Sequence, residues 1–126
     1  MAAPLSGRAP VPSRLEETSA EQFAAVDMRV GTVRRCERLL EARKPAYRLL
    51  VDLGALGTVR SAARLVDLYS PEELIGTQVI CVVNLPPRQV GPVRSEVLIL
   101  GAYLEATERV VLLRPDRPCR DGDRIG

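Results

Sequence analysis

Val26-Asp27-Met28-Arg29-Val30-Gly31-Thr32-Val33 begins as an alternating strand and then loses its phase. Val26, Met28 and Val30 face one way and Asp27 and Arg29 the other, until Gly31-Thr32 intervenes before Val33. Period-two alternation marks a strand with one buried face. A glycine at the phase break predicts a bulge that bends the strand sharply. A long bent first strand is the device by which a small barrel turns its corner.

Further elements fall into place on either side. Upstream, Thr18-x-x-Glu21 and Ser19-x-x-Gln22 both fit a capping box, which predicts a short helix through Ala25 anchored by Phe23. Residues 1–17 are rich in Ala, Pro, Arg and Ser without periodicity and read as a disordered leader to a domain spanning 18–126. Downstream, Tyr47, Leu49, Val51 and Leu53 define one face of a second strand, with Arg48 and Asp52 on the other. After the Gly54-Ala55-Leu56-Gly57 connection, a third strand sets Val59, Ser61, Ala63 and Leu65 against Arg60, Ala62 and Arg64. On this register Arg48, Arg60 and Arg64 share a solvent face.

Ser70-Pro71-Glu72-Glu73 is the sharpest local signal. Ser70 caps, Pro71 takes the first helical position, Glu73 completes the box and Gly76 terminates. It specifies a helix of one to two turns. Gln78 to Leu85 then reads as a strand buried on nearly both faces, stopped by Pro86-Pro87. The loop Arg88 to Pro92 leads to a strand from Val93 to Ala102, a last strand spans Val110 to Leu113, and a tail rich in Arg, Asp, Gly and Pro ends at Gly126. Five to six strands, a bent first strand, a short N-terminal helix and a short helix between strands three and four make an all-β OB-fold barrel. Another all-β meander fits the same pattern.

Composition narrows the chemistry. At 126 residues and 46% apolar content, the chain can bury a core without disulfides or metal. Its longest apolar run, Val79 to Val83, is far short of the ~20 residues of a membrane span. The N-terminus has no apolar segment of the signal-peptide kind. Cys36, Cys81 and Cys119 form no CxxC pair and there is no histidine, which argues against a zinc site and for a reducing, cytoplasmic setting. Without histidine there is no Ser-His or Cys-His pair, and no phosphate-cradling glycine motif is present. No catalytic residue, metal or cofactor is expected.

Net charge is only +2, but its distribution is uneven. Arg29, Arg34, Arg35, Arg38, Arg43, Lys44, Arg48, Arg60 and Arg64 stand against Glu37, Glu41 and Asp52 alone. Seventeen of the eighteen cations are arginine, which suits bidentate phosphate contacts and equally suits a GC-rich genome. Aromatics are few: Phe23, Tyr47, Tyr69 and Tyr103. Binders of single strands stack bases on several aromatics, so phosphate and shape contacts to a folded RNA are the better expectation.

Phe23-x-x-Val26-Asp27-Met28-Arg29-Val30-Gly31-Thr32-Val33 resembles the opening of the tRNA-binding domain family, which includes the CsaA proteins and the C-terminal appendix of some methionyl-tRNA synthetases. Leu49 to Leu53, Arg60-Ser61-Ala62-Ala63-Arg64-Leu65 and Val79 to Arg88 agree in spacing. Asn84-Leu85-Pro86-Pro87-Arg88 followed by Ser95-Glu96-Val97-Leu98 is similar to the CsaA branch in particular, as is the ending Asp121 to Gly126. The likeness runs from about residue 19 to 126. It implies an OB-fold, a symmetric dimer, recognition of tRNA by shape, and in the CsaA branch a chaperone activity linked to protein export. It places the Asn84 to Arg88 loop, Ser95 and the Ser61 to Arg64 strand on the binding side. Two positions depart from the CsaA pattern: Arg64 replaces an amide, and Leu85 replaces an aromatic.

The expected RNA-binding residues are therefore Arg34, Arg35, Arg48, Arg60, Ser61, Arg64, Asn84, Arg88, Arg94 and Ser95. Glu96 should pair with Arg94 or Arg88, and Asn84 has a structural alternative, capping the Pro-Pro turn. Expected partners are tRNA or other structured RNA and a second copy of the chain, because Phe23, Val26, Val110 to Leu113 and Ile125 leave apolar material for a dimer to cover. The competing expectation is an export chaperone that binds unfolded preproteins through Leu85 and Val90, which flank the Pro-Pro loop.

Overall fold

The computed structural model describes residues 13–126. The leader expected over 1–17 thus lies largely outside the described residues, and 13–17 are exposed without helix or strand. Strand β1, Met28–Leu39, is long enough to serve two partners. Met28 to Thr32 pair antiparallel with β4 (Gln78–Val82), and Thr32 to Leu39 pair antiparallel with β2 (Ala46–Asp52).

The register slips between Val33 and Arg35, so the bulge falls at Arg34 and not at Gly31-Thr32 as the phase break predicts. Gly31 meets a different need. A Cβ there would lie 2.6 Å from Val51 Cγ1 and 2.8 Å from Leu53 Cδ2, so only bare backbone lets β1 cross these buried side chains. Strand β3 (Thr58–Ala63) follows β2 through a 3₁₀ turn at Gly54–Leu56 and pairs with it antiparallel. The sheet order β3-β2-β1-β4-β7, with β7 at Leu98–Ile99, curls into an OB-type barrel. It closes where the Glu96 N–H donates to the Arg60 carbonyl at 2.8 Å.

Both capping boxes form. Helix α1 (Ala20–Ala24) is capped by Ser19 with Gln22, and α2 (Pro71–Leu74), between β3 and β4, by Ser70 with Glu73. Leu74 of α2 is fully buried in the core beside Val33, Val51, Leu53, Val79 and Cys81. Tyr47 is buried as its register predicts, and its hydroxyl donates to the Tyr69 carbonyl at 2.7 Å. Burial pushes the Cys81 thiol up to about 12 and the Cys36 thiol up to about 11. Among the described residues no helix is long and apolar enough to cross a membrane.

Three expected segments differ. The strand over Gln78 to Leu85 ends at Val82. The loop Arg88 to Pro92 is in fact strand β5 (Arg88–Val90), which pairs with β6 (Val93–Ser95) around Gly91. The strand over Val93 to Ala102 is broken into β6, β7 and β8 (Gly101–Tyr103) because each piece has its own partner: β5, β4 and β9 (Val110–Leu112). Nor is the C-terminal segment a loose tail. The Gln78 side chain exchanges hydrogen bonds with the Cys119 backbone at 2.7 and 2.9 Å. Gly122 and Ile125 N–H groups donate to the Val30 and Met28 carbonyls at 2.7 and 2.9 Å. Gly122, at φ 94°, passes so close to Leu53 that a Cβ would lie 2.7 Å from its carbonyl oxygen.

Candidate nucleic-acid interface

Strand register sorts the arginines. Tyr47, Leu49 and Val51 point inward opposite Ala63, Ser61 and Val59, so the residues between them point outward. On that outer face Arg35 aligns with Leu50 and Leu50 with Arg60, while Glu37 aligns with Arg48 and Arg48 with Ala62. Arg35, Arg48 and Arg60 are thereby brought to one solvent face by pleating, and Arg64, exposed just after β3, lines the groove beside it.

The β5–β6 hairpin packs Val90 and Val93 against Leu39, Ala46 and Ala62 at one end of this face. Beside it opens a groove of about 840 Å³. Ala46, Ala62, Val90, Leu98, Ile99 and Val110 supply its apolar lining, with Tyr103 alongside. Among the described residues, Arg43, Lys44, Arg64 and Arg88 supply four cations against the one carboxylate of Glu108. Four like charges around an open, partly apolar trough concentrate positive potential where a polyanion can lie.

The remaining expected site residues fall elsewhere. Arg34, at the bulge, lies 3.3 Å from Asp52 and 3.4 Å from Asp121, toward the end of β2 away from the groove. Arg94 is exposed on β6 but does not line the groove. Ser61 and Ser95 are buried and internally engaged. The Ser61 hydroxyl donates to the Val97 carbonyl at 3.1 Å, and Ser95 Oγ accepts from the Ala62 N–H at 3.0 Å. They fasten β3 to the segment after β6, and neither faces solvent.

Asn84 is exposed yet committed on both ends of its amide. Its Oδ1 accepts from the Asp27 N–H at 2.9 Å, and its Nδ2 donates to the Ala25 carbonyl at 2.7 Å. It therefore ties the α1–β1 turn to the end of β4 and does not cap the Pro-Pro turn. Glu96 pairs with neither Arg94 nor Arg88. Its carboxylate accepts from the Arg60 N–H at 2.9 Å and lies 3.2 Å from Arg60 Nε. The Arg60 N–H bond first, then the Arg60 guanidinium, hold the Glu96 carboxyl below the usual range. Leu85 is exposed and does not line the groove, whereas Val90 does.

Arg43, Lys44, Tyr103 and Glu108 also line the groove and are not among the site residues expected from the sequence. The two cations were visible in the Arg29 to Arg64 cluster. Glu108 had no signal, since its neighbours in the groove come from distant parts of the chain.

Fold and groove together define a small OB-type barrel with a cationic outer face. The chain belongs to the tRNA-binding domain family: the family model described as "Putative tRNA binding domain" matches residues 28–124. The methionine–tRNA ligase of Methanothrix thermoacetophila is 40% identical over 97 residues, 77% of this chain and 14% of that protein. The chain thus spans about a seventh of that relative's length. Two solved structures are similar over nearly the whole barrel. The chaperone CsaA from Bacillus anthracis matches at 44% identity and a TM-score of 0.84, covering 88% of this chain and 100% of that one. A MetRS-related protein from Pyrococcus horikoshii matches at 28% identity and a TM-score of 0.79, covering 89% and 100%.

Proposed function

We propose that this chain is a non-catalytic, cytoplasmic tRNA-binding protein that reads folded RNA through phosphate and shape contacts. The observation that carries this reading is the alignment of Arg35, Arg48 and Arg60 on the outer face of β1–β3, with Arg64 following β3 into the groove lined by Arg43, Lys44 and Arg88. Family membership supports RNA as the anion. Scarce exposed aromatics favour phosphate over base stacking. The chain acts as a two-fold dimer, for which the exposed Phe23, Val26, Val111 and Leu113 supply apolar surface. Sedimentation is then expected to give about twice the 13.8 kDa chain mass.

The test is tRNA affinity as a function of salt. Log affinity should fall linearly with log salt. Arg64→Gln and Arg88→Gln should each make that slope shallower by about 1 while weakening different tRNAs alike. Salt-independent affinity, or preference for one anticodon, would refute the reading. A second reading, capture of unfolded preproteins, draws on the groove's apolar lining and on the similarity to CsaA chaperones. It predicts that Val90→Ser abolishes protection of an aggregating client while sparing tRNA affinity.

A further inference from the structure

The connection between β8 and β9 folds back toward the groove. Leu104 N–H donates to the Arg109 carbonyl at 2.8 Å, and between them Glu105 adopts φ 51°, a left-handed conformation unusual for a residue with a side chain. This turn carries Glu108 to the groove wall. A single carboxylate oxygen, Oε1, lies 3.0 Å from Lys44 Nζ and 3.7 Å from Arg64 Nη1. All three side chains are about half exposed, so the contacts are open to solvent and to a competing anion.

An anionic oxygen bridging two cations at the rim of a positively charged groove occupies the position a phosphate oxygen would take. We propose that Lys44 and Arg64 form an RNA phosphodiester site, and that Glu108 is its built-in occupant, displaced when RNA binds. This deepens the RNA reading above and rests on it. Ion pairs between half-exposed groups are individually weak, which lets a ligand exchange for the carboxylate. Charge multiplicity favours RNA over a peptide terminus. A peptide brings one terminal carboxylate, whereas a polynucleotide brings successive phosphates that also meet Arg43 and Arg88 on the same groove. Glu108 then sets affinity and selectivity: an isolated anion gains little by replacing it, and a polyanion anchored at Arg88 gains the site as one contact among several.

The experiment compares Glu108→Gln with Glu72→Gln, which removes the same charge from the exposed surface of α2 outside the groove. Glu108→Gln is expected to raise tRNA affinity about fivefold at low salt and to steepen the salt dependence by about 1. Glu72→Gln should do markedly less. In a Lys44→Gln, Arg64→Gln background the gain from Glu108→Gln should vanish. Glu108→Ala, with thermal unfolding of each variant, separates the effect from any change in folding. Equal effects of the two charge removals, or a gain that survives loss of Lys44 and Arg64, would overturn the gating role while leaving the RNA reading intact. A gain confined to unfolded polypeptide would assign the site to a peptide carboxylate and overturn it. Absence of salt-dependent tRNA binding by the unaltered chain would defeat both.

Discussion

Gly31→Ala tests whether the crossing of β1 over β2 holds the barrel together. The added Cβ would lie 2.6 Å from Val51 Cγ1, 2.8 Å from Leu53 Cδ2 and 3.1 Å from the Asp52 carbonyl oxygen. Carbon atoms in contact prefer about 3.5–4.0 Å, so two contacts are roughly 1 Å too close. Val51 is 0% and Leu53 1% exposed, which leaves neither side chain room to retreat. Forcing a methyl into such a core costs about 1–3 kcal/mol. Replacing glycine by alanine returns about 0.4–1 kcal/mol through the unfolded chain. At mid-range values the net loss is about 1 kcal/mol, or roughly 3–6 °C of melting temperature for a domain of this size. Thermal and urea unfolding followed by circular dichroism measure it. In a Val51→Ala background the same substitution should cost about half as much, because one of the two obstructing groups is shortened. An unchanged melting temperature, or an equal cost in both backgrounds, would refute the steric account.

Ser95→Ala leaves the Ala62 N–H without its acceptor and should destabilise the fold by about 1–3 kcal/mol, read as a fall in the urea midpoint at unchanged slope. Asn84→Asp sets a carboxylate oxygen against the Ala25 carbonyl and should release α1, seen as faster amide exchange at residues 20–27 while the barrel stays protected. Glu96, its carboxyl lowered in the folded chain, contributes stability that is present above the unfolded carboxylate range and lost as pH falls through the folded value. Glu96→Gln should remove that acid-side loss, and identical pH profiles for the two proteins would count against it. With Cys81 raised to about 12 and Cys36 to about 11, both buried, alkylation near pH 8 should modify Cys119 first and reach the other two only on unfolding. Rapid labelling of Cys81 would contradict its burial.

Much of the barrel was legible in one dimension because its signals are local. The Ser70 and Ser19 boxes need only neighbours three residues away, and both form. The alternation of Tyr47 to Leu53 needs only the pleat, which also puts Arg48 and Arg60 on one face. Gly31 stands out in the sequence at a phase break, but what requires glycine there is a close crossing. A phase break and a close crossing look alike in sequence, and only the position of Val51 and Leu53 tells them apart. Residues 93–102 failed for a related reason. Their apolar pattern is continuous, while their hydrogen-bond partners change twice within ten residues.

By itself the sequence determined the strand faces, the two capped helices and the cationic stretch from Arg29 to Arg64. These depend on side-chain type and spacing along the chain, and pleat and helix geometry convert spacing directly into direction. The tertiary structure alone decided which polar groups remain available. Ser61 and Ser95 look like binding-side residues in sequence, yet closure of the barrel engages their hydroxyls inside it, while Asn84 stays exposed with its amide committed to the Asp27 N–H and the Ala25 carbonyl. Lys44 and Arg64 meet Glu108 only because the β8–β9 turn is folded back onto the groove. Partners separated by tens of residues are chosen by how the sheet closes, and no local pattern encodes that choice.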